Sequence, residues 1–81
     1  MDIDQITIDD KIEKAKKLII NAQNRYEANP LKARYGLELA ERILDEALLC
    51  KRMTRYSKNN PYQDLYQQIY LSWEKLNNKF L

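Results

Sequence analysis

Two Asn-Pro pairs, Asn29-Pro30 and Asn60-Pro61, are the strongest constraint on how this chain can fold. The rest of the sequence contains no proline and one glycine, so three long segments are free of helix-breaking residues. Asparagine is a favoured N-cap, and proline fits the first helical turn because its missing N–H would be unpaired there. Gln63 follows Asn60 by three residues, which is a capping-box spacing. The pairs therefore predict three helices, at about residues 9–27, 30–56 and 61–80.

The apolar residues of these segments follow a helical period. Spacings of four and three alternate in the first and third segments, as in helices that pack side by side. The residues are Ile8, Ile12, Ala15, Ile19, Ala22 and Tyr26 in the first, and Tyr62, Tyr66, Ile69, Trp73, Leu76 and Phe80 in the third. The second segment has a broader apolar face that includes small residues. We predict a single all-α domain over 1–81, a three-helix antiparallel bundle, with residues 1–8 as a short acidic arm.

A tight turn near residue 29 sets the expected register of the first two helices. It places Ala22 against Gly36, Ala15 against Ile43, and Ile8 against Cys50, so Cys50 is expected to be a buried structural thiol. A similar second turn would place Trp73 against Leu44, Ile69 against Leu48, and Phe80 against Leu37. Ile69, Trp73, Leu76 and Phe80 are then expected core residues, and Tyr62 and Tyr66 are expected at its border.

Length and composition limit the cellular setting. With 81 residues the core is small and of marginal stability, so an oligomer or a host complex would help. One cysteine excludes an internal disulfide and suits a reducing compartment. No apolar run approaches the roughly 20 residues of a membrane span. The first ten residues carry four acids and no base, unlike a signal peptide. We expect a cytoplasmic protein without a membrane partner.

The sequence lacks the usual equipment of an enzyme. It has no histidine, so the commonest general base and zinc ligand are missing. Glu38, Glu41 and Asp45 share one helical face, but they form an incomplete ligand set and are better explained as a solvated face. No histidine can activate Cys50, and no phosphate-binding loop is present. We expect no catalytic residue, metal, cofactor or small-molecule substrate.

A basic cluster near the end of the second helix has two interpretations. It consists of Lys51, Arg52, Arg55 and Lys58. In the structural interpretation, the helix dipole favours cations there, and the acids Asp2, Asp4, Asp9 and Asp10 neutralise the cluster. In the functional interpretation, the cluster binds an anionic partner, and nearby tyrosines add contact surface.

The function expected from these features is a small non-enzymatic module for protein–protein interaction. It would serve as an adaptor in a larger complex, or self-associate as a homo-oligomer. The contact surface would be an overhanging end of the second helix together with two tyrosines at the start of the third. Its partner-binding residues are Lys51, Arg52, Arg55, Tyr56, Tyr62 and Tyr66. The alternative is a nucleic-acid-binding accessory protein that uses the same basic end.

Overall fold

A computed structural model of the protein describes the backbone of residues 3–79 and the side chains of residues 7–78. It contains three helices, α1 (Ile3–Asn24), α2 (Pro30–Cys50) and α3 (Gln63–Lys79). Helix α2 runs antiparallel to both neighbours. Near the end of α1, Gln23 bonds to Ser72 of α3, while Tyr66 in the first half of α3 bonds to Asp45 late in α2. The predicted all-α three-helix bundle is confirmed.

One apolar core joins the helices along their inner faces. Its members share the predicted four-and-three spacing, so each helix buries one stripe and leaves its polar side exposed. The buried apolar residues are Ile8, Ile12, Ala15, Ile19, Ala22 and Tyr26 of α1 and its turn, Ala33, Leu37, Ala40, Ile43, Leu44, Ala47 and Leu48 of α2, and Tyr66, Ile69 and Leu76 of α3. Trp73 is only partly buried, and Phe80 lies outside the described residues.

The first connection matches its prediction. The Asn29 side chain accepts a hydrogen bond from the Lys32 amide at 3.1 Å, and Pro30 begins α2. This cap satisfies one of the amides left without a partner at a helix start. Across the resulting hairpin, a methyl group added to Gly36 would lie 3.9 Å from the Ala22 side chain. The expected close approach of α1 and α2 at these small residues is confirmed.

The N-terminal boundary of α1 differs from the prediction. The helix begins at Ile3, so residues 3–8 of the predicted arm are helical, and Ile8 belongs to the core. Asp9 and Asp10 consequently lie within α1 rather than at its start. Met1 and Asp2 lie outside the described residues. The chain contains no breaker before Pro30, so the helix extends back beyond the point at which the apolar seam first becomes recognisable.

Helix α2 ends at Cys50, six residues before the predicted end at Tyr56. The Met53 amide donates to the Leu48 carbonyl and the Arg52 amide donates to the Leu49 carbonyl, each at 2.9 Å. This pattern is a Schellman motif, and Arg52 has the left-handed φ of 59° that the motif requires. Glycine usually occupies that position, and because arginine stands there the helix end is not recognisable from the residue type. The prediction that Cys50 is buried is wrong, because the last residue of α2 is exposed.

A compact connection over residues 51–62 replaces the predicted overhanging helix. Ser57 and Thr54 use side chains to bond nearby backbone amides, which offers the chain an alternative to helix. Helix α3 therefore packs in a different register from the one expected. Trp73 lies beneath the Arg34 guanidinium, which is 5.9 Å from the ring centroid, and Arg34 precedes the expected partner Leu44 by ten residues of α2.

Candidate functional site

Arg55 fastens the α2–α3 connection to the bundle. Its guanidinium makes two hydrogen bonds to Asp45, at 2.6 and 3.2 Å, and a third to Glu41 at 3.3 Å. It also donates to the Tyr70 hydroxyl at 3.0 Å. A planar guanidinium suits this arrangement because its donors form a rigid fork that matches a carboxylate. Arg55, one of the residues expected to bind a partner, is thus held by hydrogen bonds to α2 and α3.

The carboxylate of Asp45 is the centre of this network. Besides Arg55, it accepts a 2.6 Å hydrogen bond from the Tyr66 hydroxyl. Burial alone would raise the pKa of Asp45, but the hydrogen bonds from Arg55 and Tyr66 outweigh it, so the pKa is lowered. Burial and the bond to Asp45 raise the pKa of Tyr66 well above its usual range. Asp45 is accordingly a stable anion at neutral pH that holds Arg55 in place.

The two tyrosines expected at the core border occupy different environments. Tyr66 is 3% exposed and its ring packs beneath the Arg55 guanidinium, at 4.9 Å from the centroid. Tyr62 is half-buried against the core. The pKa of Tyr62 is raised, mainly by burial and to a smaller extent by the negative charge of Asp9. Of the six residues predicted to bind a partner, Tyr66 is buried, Arg52 and Tyr56 are exposed, and the other three are partly buried.

Leu49, Met53 and Tyr56, with Lys51 and Arg52 beside them, form what we call the connection surface. Tyr56 is 86% exposed and Leu49 is 67% exposed. Two open depressions meet at Arg55 and Tyr56. One, of about 210 Å³, is lined by Leu49 and Met53, and the other, of about 220 Å³, reaches Asn60 and Tyr70. An exposed aromatic ring therefore separates two small hollows at one end of the bundle.

One base of the cluster, Arg55, is paired with acids of α2 rather than with the N-terminal acids. Among the described side chains, Arg55 pairs with Glu41 and Asp45 of α2, and no ion pair is formed by Lys51, Arg52 or Lys58. Asp4 lies outside the described side chains. Within the described side chains, the cluster thus divides into one arginine paired with α2 and three cations for which no ion pair is formed.

Sequence reasoning missed Leu49 and Met53 as surface residues. Leu49 follows Leu48, so on a helix it points about 100° away from the core stripe, and this offset was the available signal. Met53 becomes part of the surface only because the Schellman motif turns the chain back. The missing information was the helix end, which no glycine marks.

Within residues 3–79, no cluster of three or more potential metal-ligating side chains occurs. Across the same part of the chain, none of the helices has the length and apolar character needed to cross a membrane.

Comparisons of the sequence with protein-family models, with curated proteins and with solved structures give no match.

Proposed function

We propose that the protein is a small non-enzymatic interaction module that binds another protein chain through the connection surface. The observation that carries the proposal is the exposure of Tyr56 next to Leu49, around a hollow lined by Met53. Large apolar and aromatic side chains are costly to leave in water, and aromatic residues are enriched among residues that dominate binding energy. The partner is a different chain of a larger complex or a second copy of this protein.

The way the connection is held supports this role. Arg55 and the buried Asn60 fix the loop from within, since Asn60 donates to the Arg55 carbonyl at 3.1 Å. A surface held in one conformation loses less entropy on binding than a mobile loop does. Lys51 and Arg52 at the edge would add long-range attraction for a partner that carries acidic groups.

The experiment compares capture by three forms of the tagged protein from extracts of its native host. The test variant is Leu49→Ala with Tyr56→Ala. The control is Leu31→Ala with Leu71→Ala, which removes two leucines of similar exposure (66% and 58%) elsewhere on the helices. We expect the wild type and the control to retain one protein partner, or a differently tagged copy of the protein itself, and the test variant to lose it. Equal retention by all three forms would refute the proposed surface.

Nucleic-acid binding is the second candidate function. Its supporting observation is that Lys51, Arg52 and Lys58 lack carboxylate partners among the described side chains, close to a tyrosine ring that a base could stack on. The same capture, repeated after nuclease treatment, separates the two functions. Loss of all captured proteins on nuclease treatment, together with steep weakening by salt, would favour nucleic acid.

A further inference from the structure

The hairpin of α1 and α2 has a second open side, away from α3. The residues of α2 that contact α3 or its network include Arg34, Glu41 and Asp45. On the other side of α2 an open groove of about 170 Å³ runs between α1 and α2. We call it the α1–α2 groove, and its apolar lining is Leu18, Ala22, Tyr35, Gly36 and Leu39.

Small residues form the floor of this groove, and larger ones form its walls. A methyl group at Gly36 would lie 3.7 Å from the Leu18 carbonyl oxygen, so the two backbones approach closely. Leu18 and Leu39 are partly buried against the core, while Tyr35 is 68% exposed. The groove thus offers apolar contact area that the described residues of the chain leave uncovered.

The rim of the groove is basic. Arg25 and Lys32 line it directly. Lys14 and Lys11 precede Leu18 by four and seven residues, so they continue the same stripe along α1. Within residues 7–78, none of these four bases forms an ion pair. On α2, Glu46 lies seven residues after Leu39 and is an acid further along that side. An excess of uncompensated bases beside an apolar floor complements a segment of opposite charge.

We propose that the α1–α2 groove binds an acidic segment of a partner protein that also carries apolar side chains. The apolar groups pack against Leu18, Tyr35 and Leu39, and the carboxylates pair with Arg25 and Lys32. This site is separate from the connection surface, because Leu49 follows Gly36 by thirteen positions of α2, a rise of about 20 Å. The two surfaces can be occupied together, which makes the module a bridge between two chains.

The test uses two labelled peptides, one built from repeats of Glu-Leu-Glu-Ala and one with each glutamate replaced by lysine. Binding to the full-length protein is measured by fluorescence anisotropy, and the site by the NMR signal of the Gly36 amide. We expect only the acidic peptide to bind and to shift the Gly36 signal. Arg25→Glu with Lys32→Glu should weaken binding by about tenfold.

Two further variants make the result specific. Lys51→Glu with Lys58→Glu changes the net charge as much as Arg25→Glu with Lys32→Glu does, but at the other end of the bundle. This control variant should bind the acidic peptide like the wild type. Leu49→Ala with Tyr56→Ala should also retain binding, so failure of the connection surface and failure of the groove are distinguishable.

Four results would overturn the proposal. The first is equal binding of the acidic and the basic peptide, and the second is an equal loss of acidic-peptide binding in the two charge-reversed variants. The third is a larger shift of the Gly36 amide signal on adding a single-stranded oligonucleotide than on adding the acidic peptide. The fourth is a shift of the Gly36 amide signal caused by dimerisation of the protein alone. The last two would assign the groove to nucleic acid or to a second copy of the chain.

Discussion

At the scale of single residues, Arg55 decides how the candidate site is organised. Its guanidinium connects the loop to Asp45, Glu41 and Tyr70, and its backbone carbonyl accepts from Asn60. Arg55, which the sequence pattern assigned to a basic binding patch, therefore holds the connection against α2 and α3. Tyr56, the next residue along the chain, is left as the exposed ring.

The lowered pKa of Asp45 predicts how stability depends on pH. A carboxyl group with a lower pKa when folded stabilises the protein above its unfolded pKa of about 4, and that contribution is lost as pH falls through the folded value. Asp45→Asn should therefore be clearly less stable than the wild type near neutrality. The difference should shrink as the pH falls from about 6 to about 2. Urea unfolding across this range measures it, with the exposed Asp10→Asn as control, and a difference independent of pH would contradict the assignment.

The left-handed backbone of Arg52 predicts a stabilising substitution. A non-glycine residue at φ 59° pays a steric penalty that glycine avoids. We expect Arg52→Gly to raise the free energy of unfolding by about 0.5–1 kcal/mol, after allowing for the greater freedom of glycine in the unfolded chain. Lys51→Gly, at an ordinary φ of −98°, should instead lower it. A loss of stability in Arg52→Gly would show that the helix does not end in this motif.

At the scale of elements, the two Asn-Pro pairs act differently although they look alike in the sequence. Asn29 caps α2 as expected. Asn60 is buried, accepts from the Tyr62 amide at 2.8 Å, and donates to the Arg55 carbonyl, so it fixes the loop as well as the start of α3. Gln63 bonds to the Lys58 carbonyl rather than back to Asn60, so the expected capping box does not form.

This difference predicts unequal costs of substitution. Asn29→Ala removes one exposed cap and should cost about 1 kcal/mol. Asn60→Ala removes two hydrogen bonds in a buried position and leaves their partners unsatisfied, so it should cost about 2–3 kcal/mol. Chemical denaturation of both variants measures the two costs. Equal losses would mean that Asn60 acts only as a helix cap.

Periodicity predicted the elements but not their ends. The seams of α1 and α3 and the Gly36–Ala22 contact follow from side-chain spacing, which is a local property of a helix. The stop after Cys50 depends on an arginine in a conformation that usually belongs to glycine. Because α2 ends early, the expected second register and the overhanging end were wrong. Met53 could not be assigned to a surface without that turn.

At the scale of the whole molecule, one hairpin supports two unlike surfaces. Helix α3 covers one side of the α1–α2 pair, while the other side retains an apolar groove with a basic rim. The connection surface lies at the opposite end of α2 from the Asn29 cap. This layout suits a module that is completed by other chains, consistent with the marginal core expected of 81 residues.

Amide hydrogen exchange in the protein alone and in its captured complex tests the central claim most directly. Binding at the connection surface should slow exchange across residues 49–63, because a bound partner restricts both solvent access and local opening there. The outer face of α3, which neither proposed site includes, should exchange at the same rate in both states and serves as the internal control. Protection confined to residues outside 49–63 would contradict the account, since the partner would then bind elsewhere on the bundle.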